Sequence, residues 1–187
     1  MEDMLIADGL VTGYSYAELI TILNSKSESD WVRNHGFWRD QGEARGARVI
    51  SDPAHDYPQD EYYGNYNTEH YSLYDVAAPT IEEFANKTFS EWTVAILEQR
   101  PGMVIPRHRD TYYNFKKAHG LQNKEVIRYN IFLDDWHPGH YMEADSKPIV
   151  NWKAGNYIRL HNSRWHRTGN IGSVYKYTCQ LTGYERD

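Results

Sequence analysis

Apolar and polar positions along this chain repeat with two different periods, and the change falls near residue 91. Before it, Leu19, Ile20 and Leu23 make a helical stripe, and Ser15 with Glu18 has capping-box spacing, so a helix is expected over about residues 16–25. Thr80 and Glu83 repeat that spacing ahead of Phe84, which predicts a second helix over about 81–88. After residue 91 the period becomes two. Trp92, Val94, Ile96 and Glu98 alternate with Thr93, Ala95, Leu97 and Gln99 as in a strand. Pro101-Gly102 then turns the chain into Met103-Val104-Ile105.

Further strands follow from the same alternation. Over Val126–Leu133, residues Ile127, Tyr129, Ile131 and Leu133 form an apolar face. The opposite face holds Val126, Arg128, Asn130 and Phe132, a mixture suited to lining a polar cavity. Short strands are expected over His140–Met142 and Asn156–Leu160, the second entered from a turn at Trp152-Lys-Ala-Gly155. In the last run, Val174 to Leu181, Lys176, Thr178 and Gln180 share a face against Tyr175, Tyr177, Cys179 and Leu181. Tyr112–Lys124 is too rich in lysine for a core strand and reads as a loop with room for a short helix. At least five strands, with helices confined to the first half, predict a mainly β (α+β) barrel or sandwich with flanking N-terminal helices. The whole of 1–187 is expected to be one domain, with 1–91 helical and irregular and packed on a β core over 92–184.

Two stretches resist a periodic reading. Trp31–Ser51 mixes aromatics with Arg33, Arg39, Arg45 and Arg48 and closes on a strand candidate at Arg48-Val49-Ile50. It reads as a wrapped arm first and as part of an anion site second. In Asp52–Asp75, Pro53, Pro58 and Gly64 argue against a long helix, and its tyrosines are read as packing, with a substrate lid as the alternative.

Composition narrows the function classes. The 187 residues carry 20 basic and 26 acidic side chains, net −6, without the basic excess of a general nucleic-acid binder. No apolar run approaches a membrane span, and acidic residues stand where a signal peptide carries positive ones, so a soluble, cytoplasmic protein is expected. The one cysteine, Cys179, lies in an apolar alternating run and is read as a buried, inert thiol. The 16 tyrosines and 6 tryptophans can cover polar surface or line a cavity.

The candidate chemistry centres on Pro106-Arg-His-Arg-Asp110, directly after an apolar run. Strand residues two apart point the same way, so His108 and Asp110 can grip one ion from one face, and a histidine from a distant strand can complete a 2-His-1-carboxylate set for iron. Among the nine histidines, His137, His140, His161 and His166 compete for that third position.

Taken with their spacing, these residues resemble the Fe(II)/2-oxoglutarate-dependent oxygenases. The features that agree are the strand and Pro-Gly turn before Pro106–Asp110, the strand beginning Arg128-Tyr-Asn, then Trp152-Lys-Ala-Gly155, and Trp165-His166. The arrangement of Arg128, Trp152, Gly155 and His166 is most similar to the aspartyl/asparaginyl β-hydroxylase branch, from whose best-known animal members the chain departs by having Asp110. The resemblance covers about residues 92–184 and implies a double-stranded β-helix, or jelly-roll, core. It favours His166, eleven positions after Gly155, as the third ligand of Fe(II) beside His108 and Asp110. It also implies Lys176, ten positions after His166, as the ligand of the far carboxylate of 2-oxoglutarate, with Thr178, Arg128 or Arg159 assisting.

Hydroxylation of a C–H bond with 2-oxoglutarate and O2 is the implied activity, preferred to halogenation because Asp110 is present. The expected substrate is a polar small molecule or peptide side chain met by Tyr112, Tyr113 and Asn130. The competing expectations are a non-catalytic jelly-roll binding protein and a cupin-like metalloenzyme that uses no 2-oxo acid.

Overall fold

The computed structural model describes residues 7–35, 55–56, 69–120 and 124–186. The Arg48–Ile50 strand candidate, Arg39, Arg45 and Arg48, and tyrosines 57, 62, 63 and 66 lie outside the described residues. Among the described residues the elements are, in order, β1 Gly9–Leu10, α1 Tyr16–Ser25, a 3-10 turn Glu28–Asp30, β2 Val32–His35, β3 His55–Asp56, β4 Glu69–Tyr74, α2 Pro79–Thr88, β5 Phe89–Gln99, β6 Val104–Asp110, α3 Tyr113–His119, β7 Ile127–Phe132, β8 His140–Ala144, β9 Lys147–Ile149, β10 Asn156–Leu160, β11 His166–Asn170 and β12 Lys176–Glu185. Among the described residues, no helix is long and apolar enough to cross a membrane.

The strands make two antiparallel sheets, one in the order β1-β10-β7-β12-β5-β4-β2 and the other β3-β6-β11-β8-β9. They are packed as a double-stranded β-helix, the mainly β architecture expected from the strand pattern. Strand β12 is the spine of the larger sheet, pairing β5 on one side over ten positions and β7 on the other over six.

The two faces of the large sheet differ in chemistry. Its outer face carries Ile127, Tyr129, Ile131, Leu133, Cys179, Leu181, Val94 and Ile96, covered by Leu19 and Ile22 of α1 and Ile81 and Ala85 of α2. Each fully buried aliphatic side chain here contributes about 1.5–3 kcal/mol. The inner face is apolar at one end, where Phe132, Ile158 and Leu160 meet Met142, Ala144 and Ile149 of the second sheet. Along the rest of it run Arg128, Asn130, Lys176, Thr178 and Thr182, and the last four are buried. That polar interior is what sets a site apart from a simple sandwich core.

Local signals explain most element ends. Ser15 and Glu18 form the expected capping box on α1. The second expected box does not form. α2 starts two residues before the predicted 81, with Pro79 supplying its fixed φ in the first turn and Ala78 at the N-cap. Thr80 instead turns to α1, its N–H and hydroxyl donating to the Glu18 carboxylate at 3.0 and 2.9 Å. One carboxylate thus caps its own helix and ties it to the next. Gly155 ends the turn before β10 with φ +88°, and a Cβ there would press on Leu10 and the Val11 carbonyl at 3.2–3.3 Å.

Residues 112–120 include the short helix that the sequence allowed for, α3, on which Phe115 packs with Tyr112, Val126 and Tyr184. Two strand boundaries differ from expectation. Strand β8 runs on to Ala144, and β9 hairpins back on it. The last strand begins at Lys176 rather than Val174, since Val174 and Tyr175 are exposed in the preceding turn.

Candidate metal centre

Strands β6 and β11 are adjacent and antiparallel, and their register sets His108 directly opposite His166. The imidazole centroids are 4.3 Å apart. Asp110, two residues beyond His108, shares its face, and ligand atoms of His108, Asp110 and His166 all lie within 4.8 Å of one another. All three side chains are buried, Asp110 at 2 % exposure. His166 Nε2 stands 3.6 Å from Asp110 Oδ2.

A β-bulge brings this about. From Thr168↔Ile105 to His166↔His108, β11 advances two residues while β6 advances three. Thr168 points into the barrel, where its hydroxyl meets Gln99 and Lys176, so its partner Ile105 shares that inner face. Strict alternation from Ile105 would carry Arg107 and Arg109 inward and turn His108 and Asp110 out. The extra residue at Pro106-Arg107 reverses this, and Pro106, lacking an N–H, takes no donor from the ladder there. Arg107 and Arg109 consequently lie outside, their guanidinium groups 5.3 and 5.1 Å from the Trp165 ring centroid.

Both histidine rings are oriented by backbone carbonyls. His108 Nδ1 is 2.7 Å from the Pro106 carbonyl and His166 Nδ1 is 3.1 Å from the Arg164 carbonyl. A carbonyl oxygen only accepts, so each Nδ1 carries the proton and each Nε2 keeps its lone pair for the shared centre. Two neutral imidazoles and a carboxylate on one face are the donor set of non-haem iron sites, and they leave other coordination positions open.

Arg128 on β7 steadies the carboxylate. Its Nη1 donates to Asp110 Oδ2 at 2.8 Å, its Nε donates to Thr182 at 3.0 Å, and its guanidinium lies over the Tyr112 ring at 5.4 Å. Arg128 is therefore a support for Asp110 rather than a distant anion ligand. Tyr112 sits in a left-handed conformation, φ 56°, between Asp110 and α3. It is buried, and its hydroxyl donates to the Leu160 carbonyl at 2.8 Å, so it fastens β10 instead of facing a substrate. Tyr113 is at the surface, with the Lys117 ammonium 5.9 Å from its ring.

Lys176 lies deep inside the barrel, 1 % exposed. Its ammonium donates to the Tyr141 carbonyl at 2.8 Å, to Gln99 Oε1 at 3.2 Å and to the Thr168 hydroxyl. Thr168 is two residues along β11 from His166, a rise of ~6.6 Å, so the ammonium's partner and the histidine cluster lie on the same inner face of that strand. Burial pushes the Lys176 ammonium down to about 7, opposed by the nearby Asp134 carboxylate. Asp134 in turn is pushed up to about 7, chiefly by burial, with the Tyr177 backbone and Lys176 acting against the rise. Thr178, next along the same face, is also buried. Asn130 is buried with its Oδ1 lacking a partner, as is Nε2 of Gln99.

The remaining candidates are elsewhere. Arg159 is on the helix-covered face, bound to Glu185 through Nε at 3.0 Å and Nη2 at 2.6 Å beside the Tyr129 hydroxyl. The expectation that it assists Lys176 is corrected by strand alternation, because Ile158 and Leu160 take the inward positions of β10. His161 is in the β10–β11 turn against Ser163, and His137 is exposed. His140 stacks on Trp152, and burial pushes its imidazole down to about 4. Gln99, Thr168 and Asp134 were missed from the sequence as site residues. Gln99 carried a signal, being polar at the buried end of an alternating strand.

No protein-family model matches the sequence, nor does any curated relative. Solved structures similar to the chain are double-stranded β-helix and cupin proteins. A predicted oxalate decarboxylase from Thermotoga maritima is 12% identical, with 84% of this chain and 96% of that one covered and a TM-score of 0.42. KdgF from Halomonas sp. is 8% identical, covering 63% and 81%, TM-score 0.40. A cupin 2 conserved barrel domain protein from Salinispora arenicola is 12% identical, covering 68% and 86%, TM-score 0.38. The chain is a jelly-roll protein with a buried His-Asp-His cluster that could hold a metal ion.

Proposed function

We propose that this protein is an Fe(II)- and 2-oxoglutarate-dependent dioxygenase that hydroxylates a C–H bond of a polar substrate. The observation that carries the reading is a buried 2-His-1-carboxylate cluster with a buried ammonium, Lys176, held by Thr168 two residues from His166 on the same inner face. His108, Asp110 and His166 would hold the metal, and Lys176 with Thr168 would receive the far carboxylate of the 2-oxo acid. The bound metal, 2-oxo acid and O2 supply the oxidising power, while the chain supplies position, dryness and charge.

Each protein group has a defined task in that scheme. The Pro106 and Arg164 carbonyls fix the imidazole rings, Arg128 fixes the Asp110 carboxylate, and the Phe132, Met142, Ile158 and Leu160 cluster closes one side of the barrel interior to water. A cleft lined by Tyr74, Thr93, Gln180, Thr182 and Arg128 reaches the same guanidinium that braces Asp110. Its hydroxyls and amide suit a hydrogen-bonding substrate such as an amino acid or a peptide side chain. Within the oxygenases, the resemblance of Arg128, Trp152, Gly155 and His166 supports the aspartyl/asparaginyl β-hydroxylase branch.

A second reading, a cupin-like metalloenzyme that uses no 2-oxo acid, draws on the saturation of Lys176, whose three protons already have three acceptors. The test separates the two. Purified protein with Fe(II) under anaerobic conditions is titrated with 2-oxoglutarate, and a metal-to-ligand absorption band is expected. Metal binding without such a band would overturn the first reading and leave the second.

A further inference from the structure

Gln99 is a buried residue beside Lys176 whose hydrogen bonds are half made. It ends β5, is 2 % exposed, and lies opposite Lys176 in the β5–β12 ladder. Its Oε1 accepts from the Lys176 ammonium at 3.2 Å and lies 3.1 Å from the Thr168 hydroxyl, whereas Nε2 has no partner. With Lys176 protonated, the amide turns its oxygen to it, because an ammonium only donates. A buried amide nitrogen left without an acceptor is destabilising. A further buried donor without a partner, Trp152 Nε1, belongs to the indole whose ring lies 5.5 Å from the ammonium. Beside the ammonium, two buried donors, Gln99 Nε2 and Trp152 Nε1, thus lack an acceptor.

An acceptor with two oxygens would supply the missing partner. The Thr168 hydroxyl can rotate its proton toward an arriving oxygen, and Nε2 sits on the same terminal group that already touches the ammonium. Resting on the dioxygenase reading, we propose that Gln99 is a ligand of the co-substrate's far carboxylate, donating through Nε2 beside Lys176 and selecting a 2-oxo dicarboxylic acid over a 2-oxo monocarboxylic one.

The experiment compares 2-oxoglutarate with 2-oxobutyrate, which lacks the far carboxylate, on the Fe(II) protein under anaerobic conditions. Binding is read from the absorption band and independently from the thermal midpoint. The wild type should prefer 2-oxoglutarate. Gln99→Met, which keeps length and apolar volume, should weaken 2-oxoglutarate about tenfold or more and leave 2-oxobutyrate unchanged, the size expected for one hydrogen bond to a charged group. Gln99→Glu sets a carboxylate against the ligand's own and should weaken it further. A wild type that prefers 2-oxoglutarate while both variants retain that preference overturns the role of Gln99 alone. So does equal weakening of both acids, the signature of a disturbed fold. A wild type that binds neither acid overturns the dioxygenase reading and the inference with it.

Discussion

His108 and His166 come from strands 58 positions apart in sequence and face each other as direct cross-strand partners, with both Nδ1 atoms turned away onto backbone carbonyls. In the neutral rings that leaves Nε2 of each as the nitrogen for the shared centre.

Removing either imidazole leaves two ligands at most. His108→Ala and His166→Ala should each lose Fe(II) binding in calorimetric titration and abolish turnover, with circular dichroism unchanged. His161→Ala, in the turn beside Ser163, should bind as the wild type does. Retained binding in His166→Ala would sink the assignment.

The bulge at Pro106-Arg107 makes a sharper prediction. Deleting Arg107 removes the extra residue, so that two residues of β6 match two of β11 from Ile105 to His108, and regular alternation then keeps His108 opposite His166 with Asp110 on the same inner face. The deletion variant should stay folded, since the β12 pairings are untouched, and still bind metal. Loss of metal binding in a folded deletion variant would overturn this account of how the extra residue sets the face.

Arg128 holds a carboxylate that is otherwise cut off from water. Arg128→Met should lower the unfolding free energy by about 3 kcal/mol, the usual loss when one partner of a buried ion pair is removed. Metal affinity should fall roughly 10–100-fold, as for other groups that orient a ligand. Added metal should recover part of the stability, because the ion replaces the missing positive charge. Urea titrations with and without metal measure both effects.

Lys176 gives the pH dependence its sign. Its folded value is pushed down to about 7 from 10.5, so between those limits the unfolded chain binds more protons than the native one. Its contribution to stability therefore rises with pH across that window. Binding of a carboxylate works the other way, since only the ammonium pairs with it. Affinity for 2-oxoglutarate should fall as pH rises through about 7, with proton uptake on binding above that pH, measurable by calorimetry in buffers of different ionisation heat.

Cys179 is fully buried on the helix-covered face, and burial pushes its thiol up to about 12. It should ignore thiol reagents in the native protein and react once urea unfolds the chain, as mass spectrometry would show. Modification under native conditions would contradict its place in the core.

Much of this architecture was legible in the chain because it is written in local period. The stripe at Leu19, Ile20 and Leu23, in which Ile22 rather than Ile20 is the buried residue, the alternation of β5, β7 and β12, and the turn signals at Pro101-Gly102 and Gly155 each depend on neighbours within a few residues. The same alternation correctly put Arg128 and Asn130 on a face apart from Tyr129 and Ile131. Where the reading failed, a distant partner had decided. Glu83 lost its capping role because Glu18 of another helix reaches Thr80, and Arg159 fell to Glu185, two strands away in the sheet.

By itself the sequence determined which residues alternate, where the chain turns, and that His108 and Asp110 share a face. Tertiary structure alone decided that this face is the inner one, through a single extra residue in β6 that no periodicity announces except by a proline. It also decided which histidine answers His108, and that Gln99 and Thr168 meet Lys176. Those choices depend on register between strands distant in sequence, and a one-residue slip, which leaves every local pattern intact, would exchange the inside of the barrel for the outside.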